Sequence, residues 1–170
     1  MGRETWDDWY ARAKEREEQF WADERAMGRV TVALGVERSK VQRVAARGYD
    51  LLVKGRITIE AKLRFPPHIQ DVLLEIRQTD REPGWFLYSP ADLLFYAWVT
   101  DEHDLVGHLL YDLPRMKADR DSILPQAHDF KESRKNKDRR TQNLALSIEV
   151  LADYELRDIP EYEDRKGAWH

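Results

Sequence analysis

Cysteine is absent from the 170 residues, which excludes disulfides, zinc–thiolate centres, iron–sulfur clusters and cysteine nucleophiles in one step. Long apolar runs are missing as well. No window approaches the roughly eighteen apolar residues of a membrane span, and Met1-Gly2-Arg3-Glu4-Thr5-Trp6 carries no apolar signal core. A cytoplasmic protein without a membrane partner is therefore expected. There is no glycine-rich phosphate loop, and neither Ser39 nor Ser89 sits in a nucleophile elbow. The histidines (His68, His103, His108, His128, His170) are dispersed without metal-ligand spacing, which argues against a zinc site or a histidine-based nuclease. What remains is 42 % apolar and 11 % aromatic, too rich in core-formers for a disordered chain despite 35 % charged residues. With no repeat and no low-complexity linker, residues 1–170 read as one domain.

Negative charge is in slight excess, 28 basic against 32 acidic residues, yet the charges are segregated. Between Glu37 and Arg64 eight bases (Arg38, Lys40, Arg43, Arg47, Lys54, Arg56, Lys62, Arg64) face three acids (Glu37, Asp50, Glu60). A second run holds Lys131, Arg134, Lys135, Lys137, Arg139 and Arg140 against Glu132 and Asp138. Acids gather in the first 24 residues and in a C-terminal segment over 151–170. That polarity suits a protein with one phosphate-facing side.

Trp6, Trp9, Tyr10, Ala13, Phe20 and Trp21 recur at spacings of three and four, which predicts a helix over residues 5–27 with Gly28 as its stop. Glu17 and Glu24 lie on or beside the apolar stripe of that helix, where a carboxylate needs a reason; Glu15 and Glu18 fall off it. Residues 30–34 fit either a short strand or further helix. Residues 49–53 and 57–63 are β-rich runs separated by Lys54-Gly55-Arg56, the mark of a hairpin with a three-residue loop. Pro66-Pro67 ends the second run, and residues 71–76 predict a third strand, with Glu75 on it either a further active-site acid or, the preferred reading, a water-facing edge carboxylate. Ser89 with Pro90 predicts a helix N-cap. Residues 94–100 and 105–113 form a second hairpin, Pro114 starts a helix to about Ser122, and residues 143–150 make the last strand. Trp85, Phe95, Tyr96 and Trp98 are expected in the core and at a dimer interface. The fold class expected is α/β, a central mixed sheet flanked by helices.

If Val53 pairs with Ile57, Asp50 stands opposite Glu60, and Lys62 lies on the same face two residues on. A two-residue loop would throw the two carboxylates onto opposite faces. Two hard-oxygen carboxylates can hold Mg²⁺ or Mn²⁺, leaving other positions for water and a phosphate oxygen. A lysine beside them can orient the attacking water or help deprotonate it, and can stabilise the charge that builds on phosphorus. Asp50, nine residues, then Glu60-Ala61-Lys62 thus spells a phosphodiester hydrolysis site.

These residues resemble the PD-(D/E)XK nuclease superfamily, in which an N-terminal helix precedes a hairpin bearing Asp and Glu-x-Lys. Gly48-Tyr49-Asp50-Leu51-Leu52-Val53 and Ile57-Thr58-Ile59-Glu60-Ala61-Lys62 match the signature, with Tyr49 where the family name has proline. The resemblance spans about residues 5–76. It implies a restriction-endonuclease-like fold, Asp50 and Glu60 as metal ligands, Lys62 as the catalytic lysine, and a first-helix glutamate completing the site: Glu17, with Glu18 and Glu24 as alternatives. Within the superfamily the arrangement is similar to the small Holliday-junction resolvases of archaea and their viruses. That implies a dimeric, Mg²⁺-dependent endonuclease acting on branched DNA, with Lys40, Arg43, Arg47, Arg64, Lys135, Lys137 and Arg139 holding phosphates. A sequence-specific restriction-type or phage recombination nuclease would carry the same motif, as would a DNA-binding module that has lost its chemistry.

Overall fold

A computed structural model describes residues 6–44, 48–66, 70–77, 82–129 and 142–160, without the side chains of 6–10 and 129. Arg47, Lys135, Lys137 and Arg139 lie outside the described residues, as does the 131–140 basic run. Among the described residues no helix is long and apolar enough to cross a membrane.

The predicted first helix is two helices, α1 (Trp6–Ala22) and α2 (Glu24–Ala33). The break falls at Asp23 rather than Gly28, because the Asp23 carboxylate accepts from the Arg25 amide at 2.8 Å and so caps α2. Residues 30–33, ambiguous in sequence, continue α2. Asp23 also reaches His103 Nδ1 at 3.0 Å, while Arg16 pairs with Asp101 and Arg29 with Asp104. The helix pair is thereby clasped to one turn of the sheet. The His103 hydrogen bond, then the Arg25 amide, hold the Asp23 carboxyl below its usual value. A depressed carboxyl stabilises the fold above its unfolded value and loses that contribution as pH falls through the folded one. Asp23→Ala is therefore expected to lower the melting temperature by about 2–4 °C at pH 7, and the gap should narrow below about pH 4. An equal gap at pH 3 and pH 7 in a thermal melt would show that the charge has no part in it.

Five strands form the main sheet in the order β1-β2-β3-β5-β6: β1 (Val41–Arg43), β2 (Leu51–Val53), β3 (Ile57–Arg64), β5 (Leu93–Val99) and β6 (Leu105–Asp112). All neighbours are antiparallel except β3 and β5, so the sheet is mixed. The hairpin register is the one the three-residue loop requires: Val53 pairs with Ile57 and Leu51 with Ile59. Lys54 and Gly55 make the turn at φ 51° and 69°, a region open to glycine at little steric cost.

Period-two alternation then sorts the side chains. Leu51, Val53, Ile59, Ala61, Leu93, Phe95 and Ala97 pack with Phe20, Met27 and Val30 of the helices. Leu94, Tyr96 and Tyr111 face the other way, into a second cluster with Val72, Leu74, Trp85, Phe86 and Leu146. The central mixed sheet is present as expected, and beside it β4 (Asp71–Arg77) pairs with β8 (Gln142–Ser147), which pairs with β7 (His128–Asp129), in a separate three-stranded sheet. The strand predicted at 71–76 is real, but its partner is far away in sequence, where periodicity carries no information.

Three short helices complete the second face: α3 (Trp85–Tyr88), α4 (Leu113–Ala118), capped by Asp112, and α5 (Arg120–Ile123). Ser89 is not an N-cap as expected; it follows α3 as the residue that ends it. The described part of the acidic C-terminal segment docks along β6, with the Leu156 amide donating to the Leu110 carbonyl at 2.7 Å and Ile159 buried.

Candidate active site

Asp50 directly precedes β2, its amide donating to the Ile59 carbonyl and its carbonyl accepting from the Val44 amide, each at 2.9 Å, and its side chain extends this bonding. Oδ2 accepts from the amide of Ala61 at 2.8 Å, the residue between Glu60 and Lys62. The aspartate is thus locked against the Glu-x-Lys segment by a strand amide. Oδ1 accepts from Arg43 Nη1 at 2.8 Å, and the same nitrogen reaches the Asp50 carbonyl at 3.0 Å.

Glu60 is 5 % exposed, a burial a carboxylate tolerates only with partners. It has two: Lys62 Nζ at 2.6 Å on Oε1, and Ser89 Oγ donating to Oε2 at 2.9 Å. Burial by itself would lower the Lys62 pKa; the charges of Glu60, Asp50 and Glu17 outweigh it and hold the ammonium above its usual value. Lys62 is a cation at neutral pH, seated 5.0 Å from the centroid of the Trp85 ring.

Glu17 stands out from its two alternatives by position. It accepts from Trp21 Nε1 at 3.3 Å and acts on Lys62 by its charge. Glu18 is exposed and paired with Lys14 on its own helix, and Glu24 is bound by Arg38. The Arg43 guanidinium stacks over Trp21 at 4.8 Å, so a continuous chain of contacts runs from Glu17 through Trp21 and Arg43 to Asp50.

The basic residues divide. Arg43 bonds Asp50 through Nη1. Lys40 lies at the turn end of the hairpin, its carbonyl accepting from the Lys54 amide, away from the carboxylates. Arg64 is half-buried two residues beyond Lys62 on the same strand.

Three further residues enter the site: Glu75 and Ser89, expected in other roles, and Lys117, which the sequence did not single out. Glu75, expected to face water, is half-buried. Burial pushes its carboxyl up, a hydrogen bond from the Trp85 amide and the charge of Lys62 work against that, and Glu60 adds to it. Ser89, expected as a cap, is 1 % exposed and braces Glu60. Lys117 of α4 donates to the Ser89 carbonyl; burial lowers its pKa and Glu60 partly offsets this. Glu75 interrupting an apolar strand was a usable signal. Nothing local distinguishes Lys117 from any solvated helical lysine.

Removing the Ser89 hydroxyl leaves a buried carboxylate oxygen without its donor. Ser89→Ala is expected to cost about 1–3 kcal/mol in urea unfolding at pH 7. An unchanged midpoint would mean that Glu60 does not depend on this bond.

Among the described residues no three histidine, aspartate or glutamate side chains gather into a ready-made metal cage. Asp50 and Glu60 nonetheless fit a hard divalent cation. A carboxylate offers about four lone-pair positions, and each of these two uses one on either oxygen. Mg²⁺ commonly binds through one or two carboxylates and keeps several waters, which is what two such groups can supply. The chain matches no family model, no curated protein and no solved structure.

Proposed function

We propose that the chain is a metal-dependent DNA endonuclease of the PD-(D/E)XK kind, with a restriction-endonuclease-like fold, acting in the cytoplasm as a homodimer on four-way junctions. The observation that carries this reading is the lock between Asp50 and the Ala61 amide, which sets the aspartate beside a buried Glu60 whose other neighbour is Lys62 Nζ at 2.6 Å. Spacing alone makes this triad common by chance; convergence of all three at the head of one hairpin does not.

Asp50 and Glu60 would hold Mg²⁺, with Mn²⁺ as a substitute, and the ion when bound supplies Lewis acidity to a phosphoryl oxygen and to an attacking water. Lys62, held charged by three carboxylates, donates to a non-bridging phosphate oxygen and offsets the negative charge that grows there during attack. Its raised pKa favours this electrostatic part over removal of the water's proton. Glu17 keeps Lys62 protonated and oriented. Arg43 fixes Asp50. Selection by backbone and shape suits this reading, and two such sites about a two-fold axis suit the paired cuts a junction needs.

A non-catalytic DNA-binding module is the second reading, favoured by the Arg43 ion pair that already neutralises Asp50. The experiment is cleavage of end-labelled four-way junction, linear duplex and single strand with Mg²⁺, with Mn²⁺ and with chelator. Metal-dependent symmetric cuts in the junction are expected. Site-specific cutting of intact duplex would replace the resolvase by a restriction-type enzyme, and no cutting of any substrate would favour the binding module.

A further inference from the structure

α3 is a single helical turn, yet it borders the site at both ends. Trp85, its first residue, is buried beneath Lys62. Ser89, directly after its last, is bonded to Glu60. Tyr88 stands between these two contacts, three residues after Trp85 and so on the same side of the turn, but it is 52 % exposed. The other large apolar side chains exposed among the described residues are Val32, Leu87 and Val106, none of them aromatic. Trp85, Phe95 and Tyr96 are buried, as expected of core residues. Burial, then the charge of Glu60, push the Tyr88 phenol up, Glu75 and Asp50 adding to this and Lys62 opposing it.

A phosphodiester bound at Lys62 brings the nucleosides on either side of it to this mouth. Inside a duplex both faces of each base are covered by stacked neighbours. A base at a bulge, flap or branch point has a face free, and an exposed aromatic ring on a rigid turn is the surface that takes it. We propose that Tyr88 is a stacking platform for a nucleobase unstacked beside the phosphodiester held at Lys62, so that the site takes DNA with an unpaired or branch-point nucleotide in preference to intact duplex. The position of the phosphodiester rests on the nuclease reading above.

The test uses the full chain in chelator, titrated onto a duplex with one extrahelical 2-aminopurine and onto the same duplex fully paired, with anisotropy and 2-aminopurine fluorescence as readouts. Quenching of the extrahelical base by the wild type is expected. Tyr88→Ala should weaken binding of the bulged DNA roughly tenfold and that of paired duplex less than about twofold, and Tyr88→Phe should restore the bulge preference. Equal weakening on both DNAs, or on neither, overturns the proposal. So does dissociation of a wild-type dimer by Tyr88→Ala in sedimentation, which would assign the ring to a chain–chain contact. Cleavage in Mg²⁺ is measured alongside. If the wild type cuts nothing while the bulge-selective loss persists, the nuclease reading falls and the platform stands. If the wild type cuts and Tyr88→Ala keeps its ratio of bulged to paired cutting, the platform falls and the nuclease stands. A wild type that binds no DNA overturns both.

Discussion

Asp50→Asn should leave the protein folded and lower metal-dependent cleavage by at least about 10³-fold. The amide side chain keeps an oxygen that can accept from the Ala61 amide, so the lock on β3 survives. It loses the negative charge that a divalent cation requires and that Arg43 now balances. Glu60→Gln should be equally inactive but less stable, because Lys62 then loses its nearest counter-ion in a site where it is only 32 % exposed. DNA binding measured in chelator should survive both changes, and removing a carboxylate can even tighten it. Retained cleavage in both Asp50→Asn and Glu60→Gln would remove Asp50 and Glu60 from the chemistry. Loss of cleavage together with loss of the cooperative melt would leave the claim to Glu60→Asp, which keeps the charge and should retain measurable activity.

Gly84→Ala is expected to be the most damaging single methyl in the protein. A Cβ at this position would lie 2.1 Å from the Glu75 carbonyl oxygen, 2.3 Å from its carbon and 2.8 Å from the Arg77 amide nitrogen. All three are main-chain atoms of β4, so no rotamer change relieves the clash. The Gly84 amide also donates to the Ile76 carbonyl at 2.8 Å, and α3 begins at the next residue. Pushing α3 off β4 moves Trp85 from beneath Lys62 and Ser89 from Glu60. A loss of about 3 kcal/mol or more in urea unfolding is expected, with cleavage lost along with it. Gly55→Ala is the contrast: its φ of 69° disfavours a side chain but nothing lies within 4 Å of the new methyl, so about 1 kcal/mol should be lost and the site left untouched. Equal effects of the two substitutions would mean that the approach of α3 to β4 is not what requires glycine at 84.

The elements that could be read in the chain are those whose information is local. The aromatic stripe of α1, the Lys54-Gly55-Arg56 turn and the β5–β6 hairpin each depend on neighbours a few residues apart, and the β2–β3 hairpin closed by that turn brings Asp50, Glu60 and Lys62 together. The misreadings share one cause. Asp23 ends α1 because its carboxylate can satisfy the start of α2, an option that competes locally with Gly28. Ser89 has the chemistry of a cap, but a buried glutamate twenty-nine residues away claims its hydroxyl. Glu75 breaks an apolar strand, and only its neighbours across space make it a member of the site.

What the sequence by itself determined is therefore the hairpin and the acid–acid–lysine set beside its turn-distal end; the register was conditional on the loop, and once Val53 meets Ile57 turn length and period two leave no freedom. Tertiary structure alone decided that β4 joins a second sheet with β8 and that Arg43 pairs with Asp50. The physical reason is that these depend on pairings between distant segments. Their free energy comes from burial and charge compensation in three dimensions, quantities that no local pattern of residues encodes.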